Sequence, residues 1–394
     1  MKFSPRARWA VPAGALAAVA AVMAGALIST AQASPALPHR TPAQLLTAVA
    51  GRTGPLPALT GTVVESASLG LPDLPGMDQP TSVTSLLTGS HTIRIWYADA
   101  RHFRLAVPGM MSESDLIVNG RTAWYWQSST NSVTRFALPA GAHPASHGLA
   151  PAMAITPQQA ARQALAAVGP STRVTVQSNV TVAGEAAYQL VLAPRSAGSL
   201  IGQVRIAIDA THNVPLRVQV FPRGARNPAF QVGYTSISFV RPAASNFDFS
   251  PPPSAKVKTA TLSPRGGSGS AALIPQKSAA TAPPRLLGKD WLTVAVLPAS
   301  ALSRVSGGSG SAAGLAGSAA RSAAGGPGGS AGGGISGPQI FGALTRAASN
   351  VHGAWGSGQL LHTSLLSVLI TSDGRVLVGA VTPSVLYADA ARAS

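Results

Sequence analysis

The stretch SDLIVNGRTAWYWQSSTNSVTRFALP, residues 114–139, contains three short runs of strand-forming residues. The dipeptide Asn119-Gly120 separates the first two runs, and Thr130-Asn131 separates the second from the third. Asn-Gly between runs that are rich in aromatic and β-branched residues is the strongest short signal for a β-hairpin. The stretch therefore predicts three consecutive strands of an antiparallel sheet.

The middle run carries three consecutive aromatic residues, Trp124, Tyr125 and Trp126. Side chains alternate between the two faces of a strand, so both tryptophans share one face and Tyr125 takes the other. Aromatic side chains on a sheet either fill a core or line an apolar cavity. We expect the tryptophan pair to look at the concave face of a curved sheet, and Tyr125 to lie on its outer surface.

Two helices and further strands surround this stretch. Thr41-Pro42 and Thr156-Pro157 each place a capping threonine before a proline, which is typical of a helix start. The other strand-like runs cover residues 59–71, 85–99, 101–109, 173–183, 186–194, 202–210, 215–222 and 229–240. No strand–helix–strand alternation is present, and a sheet of about ten strands curls. Residues 41–250 thus predict an α+β domain, a curved antiparallel half-barrel with a helical lid.

The composition changes after this domain. Residues 251–284 are rich in Pro and Ser and predict a linker. Residues 285–394 predict a small C-terminal α+β unit, interrupted by a flexible Gly/Ser insertion at 301–337. Within this unit we expect a helix at 340–351, a hairpin around Asp373-Gly374 and a final helix that begins at Pro383.

The N-terminus has the three parts of a secretory signal peptide, residues 1–33. Lys2 and Arg6 precede a long apolar run, and Ala31-Gln32-Ala33 forms a small-residue cleavage site. An uncleaved membrane anchor is the alternative reading. In both cases the remainder of the chain is extracytoplasmic, either secreted or in the cell envelope. The absence of cysteine there fits a bacterial protein better than an animal one.

Composition argues against several classes of function. The net charge of +17 is spread among apolar runs without a block of like charges, so we expect no nucleic-acid partner. The chain has no cysteine, which excludes thiolate metal sites and a cysteine nucleophile. The sequence GGSAG at 328–332 matches a serine-hydrolase pattern, but it has neither the strand nor the helix which that pattern requires.

Acidic and histidine residues also form no catalytic set. His143 and His147 are separated by Pro144 and would not share a helix face. Glu113 and Asp115 share one strand face, and we interpret them as a solvated strand edge in preference to a catalytic carboxylate pair. We therefore expect a non-enzymatic protein without metal or cofactor.

The alternation of apolar residues along the strands selects a candidate ligand-binding surface. These residues are predicted to line an apolar cavity on the concave face: Trp124, Trp126, Phe103, Leu105, Ile206, Ile208, Val218 and Tyr188.

Several stretches, in order, resemble the LolA-like superfamily, the lipoprotein carrier fold that is shared with sigma-E regulatory proteins of the RseB/MucB type. They include LTGTVVESASLGLP, SLLTGSHTIRIWYADARHFRLAV, VNGRTAWYWQSSTNSVTRFALP and VRIAIDATHNVPLRVQVFPRG, within residues 41–257. The chain looks closest to the actinobacterial members. The resemblance implies an unclosed β-barrel with helices as a lid over an apolar cavity that takes acyl chains.

Two functions follow from this resemblance. The first is a secreted protein that binds a lipid, an acyl chain or a lipoprotein in the half-barrel cavity. The second is a regulator of the RseB/MucB type, whose partner would be the extracytoplasmic domain of a membrane-bound anti-sigma factor or another envelope protein. Because one fold hosts many functions, the fold transfers better than either activity.

Overall fold

The computed structural model describes residues 34–50, 56–70, 88–138, 155–261, 285–298 and 348–392. The predicted signal peptide, the Gly/Ser insertion, the histidines of 143–147 and the GGSAG sequence lie outside these residues. The described part contains helices α1 (Pro42–Ala50), α2 (Pro157–Ala166) and α3 (Pro383–Arg392). Its strands form two sheets, one of twelve strands and one of six.

The larger sheet contains the three strands that the opening stretch predicts. Its strands are β1 (Leu59–Ser68), β2 (Thr88–Asp99), β3 (His102–Pro108), β4 (Glu113–Asn119), β5 (Thr122–Gln127), β6 (Ser132–Ala137), β7 (Thr172–Val182), β8 (Glu185–Pro194), β9 (Ile201–Asp209), β10 (Pro215–Pro222), β11 (Phe230–Ser238) and β12 (Lys256–Thr261). Their spatial order is β12-β6-β5-β4-β3-β2-β1-β11-β10-β9-β8-β7. The sheet is unclosed, because β12 and β7 form its two edges.

The sheet curls so that distant strands share one core. A single buried cluster joins Phe136 on β6 to Leu190 on β8 and Ile206 on β9, although these strands lie far apart in the strand order. We call the face that carries this cluster the inner face, and the other the open face. The mostly-β architecture, with a curved unclosed sheet and few helices, confirms the predicted fold class.

Two short helices cover the inner face. Helix α2 packs on β10 and β11, and α1 packs on β7 and on α2. At the start of α2, the Thr156 hydroxyl accepts a hydrogen bond from the Gln159 backbone N–H, and the Gln159 side chain bonds back to Thr156. This capping box, followed by Pro157, explains why the sequence starts a helix there.

The smaller sheet belongs to the C-terminal unit. Its strands are β13 (Arg285–Leu287), β14 (Val294–Pro298), β15 (Ser349–Gly353), β16 (Gly356–His362), β17 (Ser367–Thr371) and β18 (Arg375–Gly379), in the order β13-β14-β18-β17-β16-β15. The Asp373-Gly374 turn joins β17 to β18, as predicted, with Gly374 at a φ of +86°. Helix α3 packs against β17 and β18. Its Leu386 is fully buried in the core of this unit.

The smaller unit is fixed to the larger one by hydrogen bonds. The Trp291 indole N–H donates to the Thr172 hydroxyl at 2.7 Å, and the Thr382 backbone N–H donates to the Gly198 carbonyl at 2.8 Å. Trp291 is part of the same buried cluster as the inner face of the large sheet. The two units therefore meet through a packed and bonded contact.

Two local predictions are wrong. Residues 256–261, assigned to the linker, form strand β12, which pairs in parallel with β6. Residues 256–261 contain neither Pro nor Ser, and their alternation KVKTAT is compatible with an edge strand. Residues 349–351, assigned to a helix, belong to β15, while 340–347 lie outside the described residues.

Candidate functional site

Six of the eight residues that the sequence nominates lie together in the inner-face cluster: Phe103, Leu105, Tyr188, Ile206, Ile208 and Val218. They come from β3, β8, β9 and β10, and each is at most 7 % exposed. The six residues share one buried surface, as the alternation predicted, and their role in lining a ligand cavity stays a prediction. The surface is closely packed, so the described residues form a closed core beneath the helices.

The two tryptophans lie on the opposite face. Tyr125 is packed against the inner-face cluster, and Trp124 and Trp126 point away from it. The expectation that the tryptophan pair looks inward and Tyr125 outward is therefore wrong. Asp115 on β4 is the antiparallel partner of Trp126 on β5, so both side chains lie on the same face. A charged residue on the tryptophan side was the feature of the sequence that indicated the open face.

The tryptophans serve as the packing surface for a chain crossing. The segment from β11 to β12 passes over the open face, and its Phe249 ring lies 5.7 Å from the ring of Trp124 and 6.5 Å from that of Trp126. Asn119 and Asn131, in the turns on either side of the tryptophan strand, fasten the crossing by side-chain hydrogen bonds to Phe247 and Ser254. A hairpin joins antiparallel strands only, so two parallel strands need a long connection. The crossing is that connection, and it places β12 parallel to β6.

A charged cluster on the open face lies beside the tryptophans. The Arg104 guanidinium donates to the Asp115 carboxylate, lies 4.0 Å from the Glu113 carboxylate, and stacks 5.3 Å from the Trp96 ring centre. The Asp115 side chain is 3 % exposed, and burial raises its pKa to about 6 against the opposing effect of Arg104. The interpretation of Glu113 and Asp115 as a solvated strand edge is thus corrected: Asp115 is half of a buried ion pair.

The inner face also holds a buried carboxyl group, that of Glu65 on β1, close to the start of α2. Glu65 on β1 is 1 % exposed, and neither carboxyl oxygen is in a hydrogen bond of good geometry among the described residues. Burial raises the pKa of Glu65, which the nearby His91 and the Ile155 backbone N–H oppose. Next to it on the sheet, the Tyr234 hydroxyl accepts a hydrogen bond from Gln158 of α2 at 3.0 Å. Sequence reasoning missed this group, because Glu65 occupies a position that strand alternation assigns to an apolar side chain.

The segment before α1 lies across β7 and β8. The Asn179 amide donates to the Pro35 carbonyl at 3.1 Å, and the Tyr188 hydroxyl donates to the Pro38 carbonyl at 2.9 Å. The Arg40 guanidinium lies 5.0 Å from the Tyr188 ring centre. Tyr188, nominated as a cavity residue, therefore also anchors the N-terminal segment.

Within the described residues, no group of three or more His, Cys, Asp or Glu side chains is placed to hold a metal ion. No helix in this part of the chain is long and apolar enough to cross a membrane.

Comparisons with known proteins give structural neighbours only. No family model and no curated protein matches the chain. The complex structure of Pseudomonas aeruginosa MucA/MucB matches with 15% identity and a TM-score of 0.38, covering 88% of this chain and 94% of that one. A LolA superfamily protein from Nitrosomonas europaea matches with 9% identity and a TM-score of 0.23, covering 54% and 99%.

A DUF1329 family protein from Desulfovibrio piger matches with 10% identity and a TM-score of 0.18, covering 52% of this chain and 95% of that chain. At such identities and TM-scores the likeness says nothing about what this chain binds. The neighbours include MucB and a LolA superfamily protein, the two kinds of protein that the sequence resembles.

Proposed function

We propose that this protein is a non-enzymatic, extracytoplasmic binder of an acylated ligand, a lipid or the acyl chain of a lipoprotein. The observation that carries the proposal is the inner face itself. Nearly every strand of an unclosed sheet contributes an apolar side chain to it, and only two helices of nine and ten residues cover it. A surface built in this way gives an acyl chain continuous apolar contact, worth about 0.8 kcal/mol per buried methylene.

The attachment of α2 suits a movable cover. Its fully buried residues are Pro157, Ala160 and Ala161, so small side chains form the centre of its contact with the sheet, beside the partly buried Leu165. Alanine buries little apolar area, and lifting α2 costs less than lifting a leucine-packed helix of equal length. Since the inner face is filled in the closed form, an acyl chain would enter by displacing this helix.

The polar group at one end of the inner face fits an amphiphile. Glu65 is buried with the Ile155 backbone N–H and His91 as polar neighbours, but neither carboxyl oxygen is in a hydrogen bond of good geometry, and it lies beside the bonded pair of Tyr234 and Gln158. A buried carboxyl of this kind is costly unless a partner satisfies it. The hydroxyl or amide of a lipid head group would supply that partner while the acyl chain lies along the apolar residues.

Lipid extraction and a binding titration test the proposal. The purified chain should release lipid on solvent extraction, detected by mass spectrometry, and the delipidated chain should bind the fluorescent fatty acid cis-parinaric acid. Tyr125→Ala, on the inner face, should weaken that binding by about tenfold, since a lost aromatic contact is worth about 1–2 kcal/mol.

Trp124→Ala is the matched control, because this neighbouring side chain lies on the open face. It should leave the affinity for cis-parinaric acid within about twofold of the wild type. No lipid in the extract together with no probe binding would refute the proposal, and equal losses in both variants would refute the assignment of the inner face.

The second candidate is a regulator whose partner is the extracytoplasmic domain of an anti-sigma factor or another envelope protein. The smaller sheet favours it. Strand β15 is an edge strand, and beside it lies an open cleft of about 460 Å³ lined by residues of β15, β16 and β17, among them His352, Gln359 and Ile370. An exposed edge next to a cleft can accept an extended peptide as an added strand. Val351→Pro should abolish capture of the anti-sigma factor's extracytoplasmic domain or other envelope partner. Unchanged binding of cis-parinaric acid in the same variant would support this candidate.

A further inference from the structure

Two arginines on the open face have no acidic partner among the described residues. Arg205 lies on β9 and Arg217 on β10. Gln219 stands opposite Arg205, and Ala207 stands opposite Arg217, so the arginines are diagonal neighbours on one face. None of the ion pairs found in the described ranges includes either of them.

Both guanidinium groups are partly withdrawn from water. The Nε of Arg205 is buried without a hydrogen-bond partner in the described structure, and its guanidinium lies 4.4 Å from the Phe221 ring centre. The stem of Arg217 lies over Gly233, where an added Cβ would meet the Arg217 Cγ at 2.8 Å. Burial, and then the charge of Arg205, lower the pKa of Arg217. Two like charges are thus held close together in a partly desolvated place.

The same open face shows how the sheet neutralises an arginine elsewhere. Arg104 is half-buried too, but it bonds to Asp115 and lies within 4.0 Å of Glu113. At Arg205 and Arg217 the corresponding cross-strand positions hold Ala207, Gly233 and Gln219, none of which carries a charge. Two neighbouring half-buried cations without a counter-ion repel each other, so the arrangement favours an anion from outside the described chain.

We propose that Arg205 and Arg217 form a binding site for a phosphate group on the open face. A phosphate monoester carries close to two negative charges at neutral pH, so one group neutralises both cations, whereas one carboxylate neutralises a single cation. The planar guanidinium presents paired N–H donors that match phosphate oxygens. This site goes beyond the proposed acyl binding, which uses the opposite face.

Thermal unfolding in inorganic phosphate, against chloride at equal ionic strength, tests the site. Phosphate should raise the unfolding midpoint of the wild type, and Arg217→Gln and Arg205→Gln should each weaken the apparent affinity by at least about tenfold, since a charged hydrogen bond is lost. The control is Arg94→Gln, an exposed arginine of β2 on the same face, which removes the same charge. It should retain the phosphate effect.

A second readout separates a binding site from a structural role. Without phosphate, Arg217→Gln should be at least as stable as the wild type, because the repulsion between the two arginines is relieved. A phosphate effect of equal size in wild type, Arg217→Gln and Arg205→Gln would overturn the proposal, as would no phosphate effect on the wild type.

Vesicle flotation distinguishes the source of the phosphate. Binding to phosphatidylcholine vesicles that contain phosphatidic acid, lost in Arg217→Gln but kept in Arg94→Gln, would assign a lipid head group. If inorganic phosphate raises the unfolding midpoint but the chain does not float with the vesicles, the ligand would be assigned as a soluble phosphate ester. Both results support the site, whereas flotation that is insensitive to Arg205 and Arg217, without phosphate protection, would overturn it.

Discussion

Replacing Asp115 by Asn should reduce the pH dependence of folding stability between about pH 4 and pH 6. Burial raises the pKa of Asp115 from 3.8 to about 6 in the folded chain. The folded state therefore holds the proton more tightly than the unfolded state. The stabilising effect of that proton is fully present below about pH 4 and is lost as the pH rises toward 6.

The expected size follows from the shift. Two pKa units correspond to about 3 kcal/mol, because one unit is worth about 1.4 kcal/mol. The unfolding free energy of the wild type should fall by up to this amount across the window. Asp115→Asn should remove most of the fall. Glu65, whose pKa burial also raises, leaves a fall of the same sign in the variant.

Urea unfolding followed by tryptophan fluorescence at pH 4, 5, 6 and 7 measures the effect. Asp373→Asn is the control, because hydrogen bonding from Arg375 lowers the pKa of this exposed carboxyl to about 2. The stabilising contribution of the ionised Asp373 is lost only as the pH falls below about 4. Asp373→Asn should therefore leave the fall in unfolding free energy between pH 4 and 6 unchanged. Equal slopes in wild type and Asp115→Asn would show that burial does not raise the pKa of Asp115. A wild type that gains stability over the variant as the pH rises would mean that the ion pair with Arg104 outweighs burial.

Two other substitutions test the packing of the fold. Phe249→Ala should destabilise the crossing by about 2 kcal/mol, from two aromatic contacts with the tryptophans. Hydrogen exchange should then show faster opening of β12, with Val240→Ala at a 71% exposed site as the silent control; unchanged exchange would contradict the role of the crossing. Trp291→Phe should cost about 1–3 kcal/mol because the buried Thr172 hydroxyl loses its donor. Limited proteolysis should then release the smaller unit more readily, and a wild-type digestion pattern would show that this bond does not hold the two units together.

Local signals in the sequence were sufficient for most secondary structure. The Asn119-Gly120 and Asp373-Gly374 turns each join two adjacent antiparallel strands, and Thr156-Pro157 starts a helix with a capping box. These signals act over a few residues, where backbone preference and side-chain capping decide the conformation. Strand β12 escaped prediction, because its partner among the described strands is β6, more than a hundred residues earlier, in a parallel pairing that no local signal announces.

The candidate site was likewise predicted in part from local patterns in the sequence. Alternation grouped Phe103, Leu105, Ile206, Ile208 and the other four nominated residues by strand, and six of the eight lie in one cluster. The relative placement of the aromatic trio was also correct, with the tryptophans on one face and the tyrosine on the other. The direction of the trio was wrong.

The sequence by itself determined the strands, their turns and the two sets of side chains that each strand separates. Only the tertiary structure decided which set faces the core. A strand's alternation has a period of two and is symmetric under exchange of its faces, so the choice depends on what covers each face. Here helices α1 and α2 cover the side of Tyr125, and Phe249 of the crossing covers the side of Trp124 and Trp126.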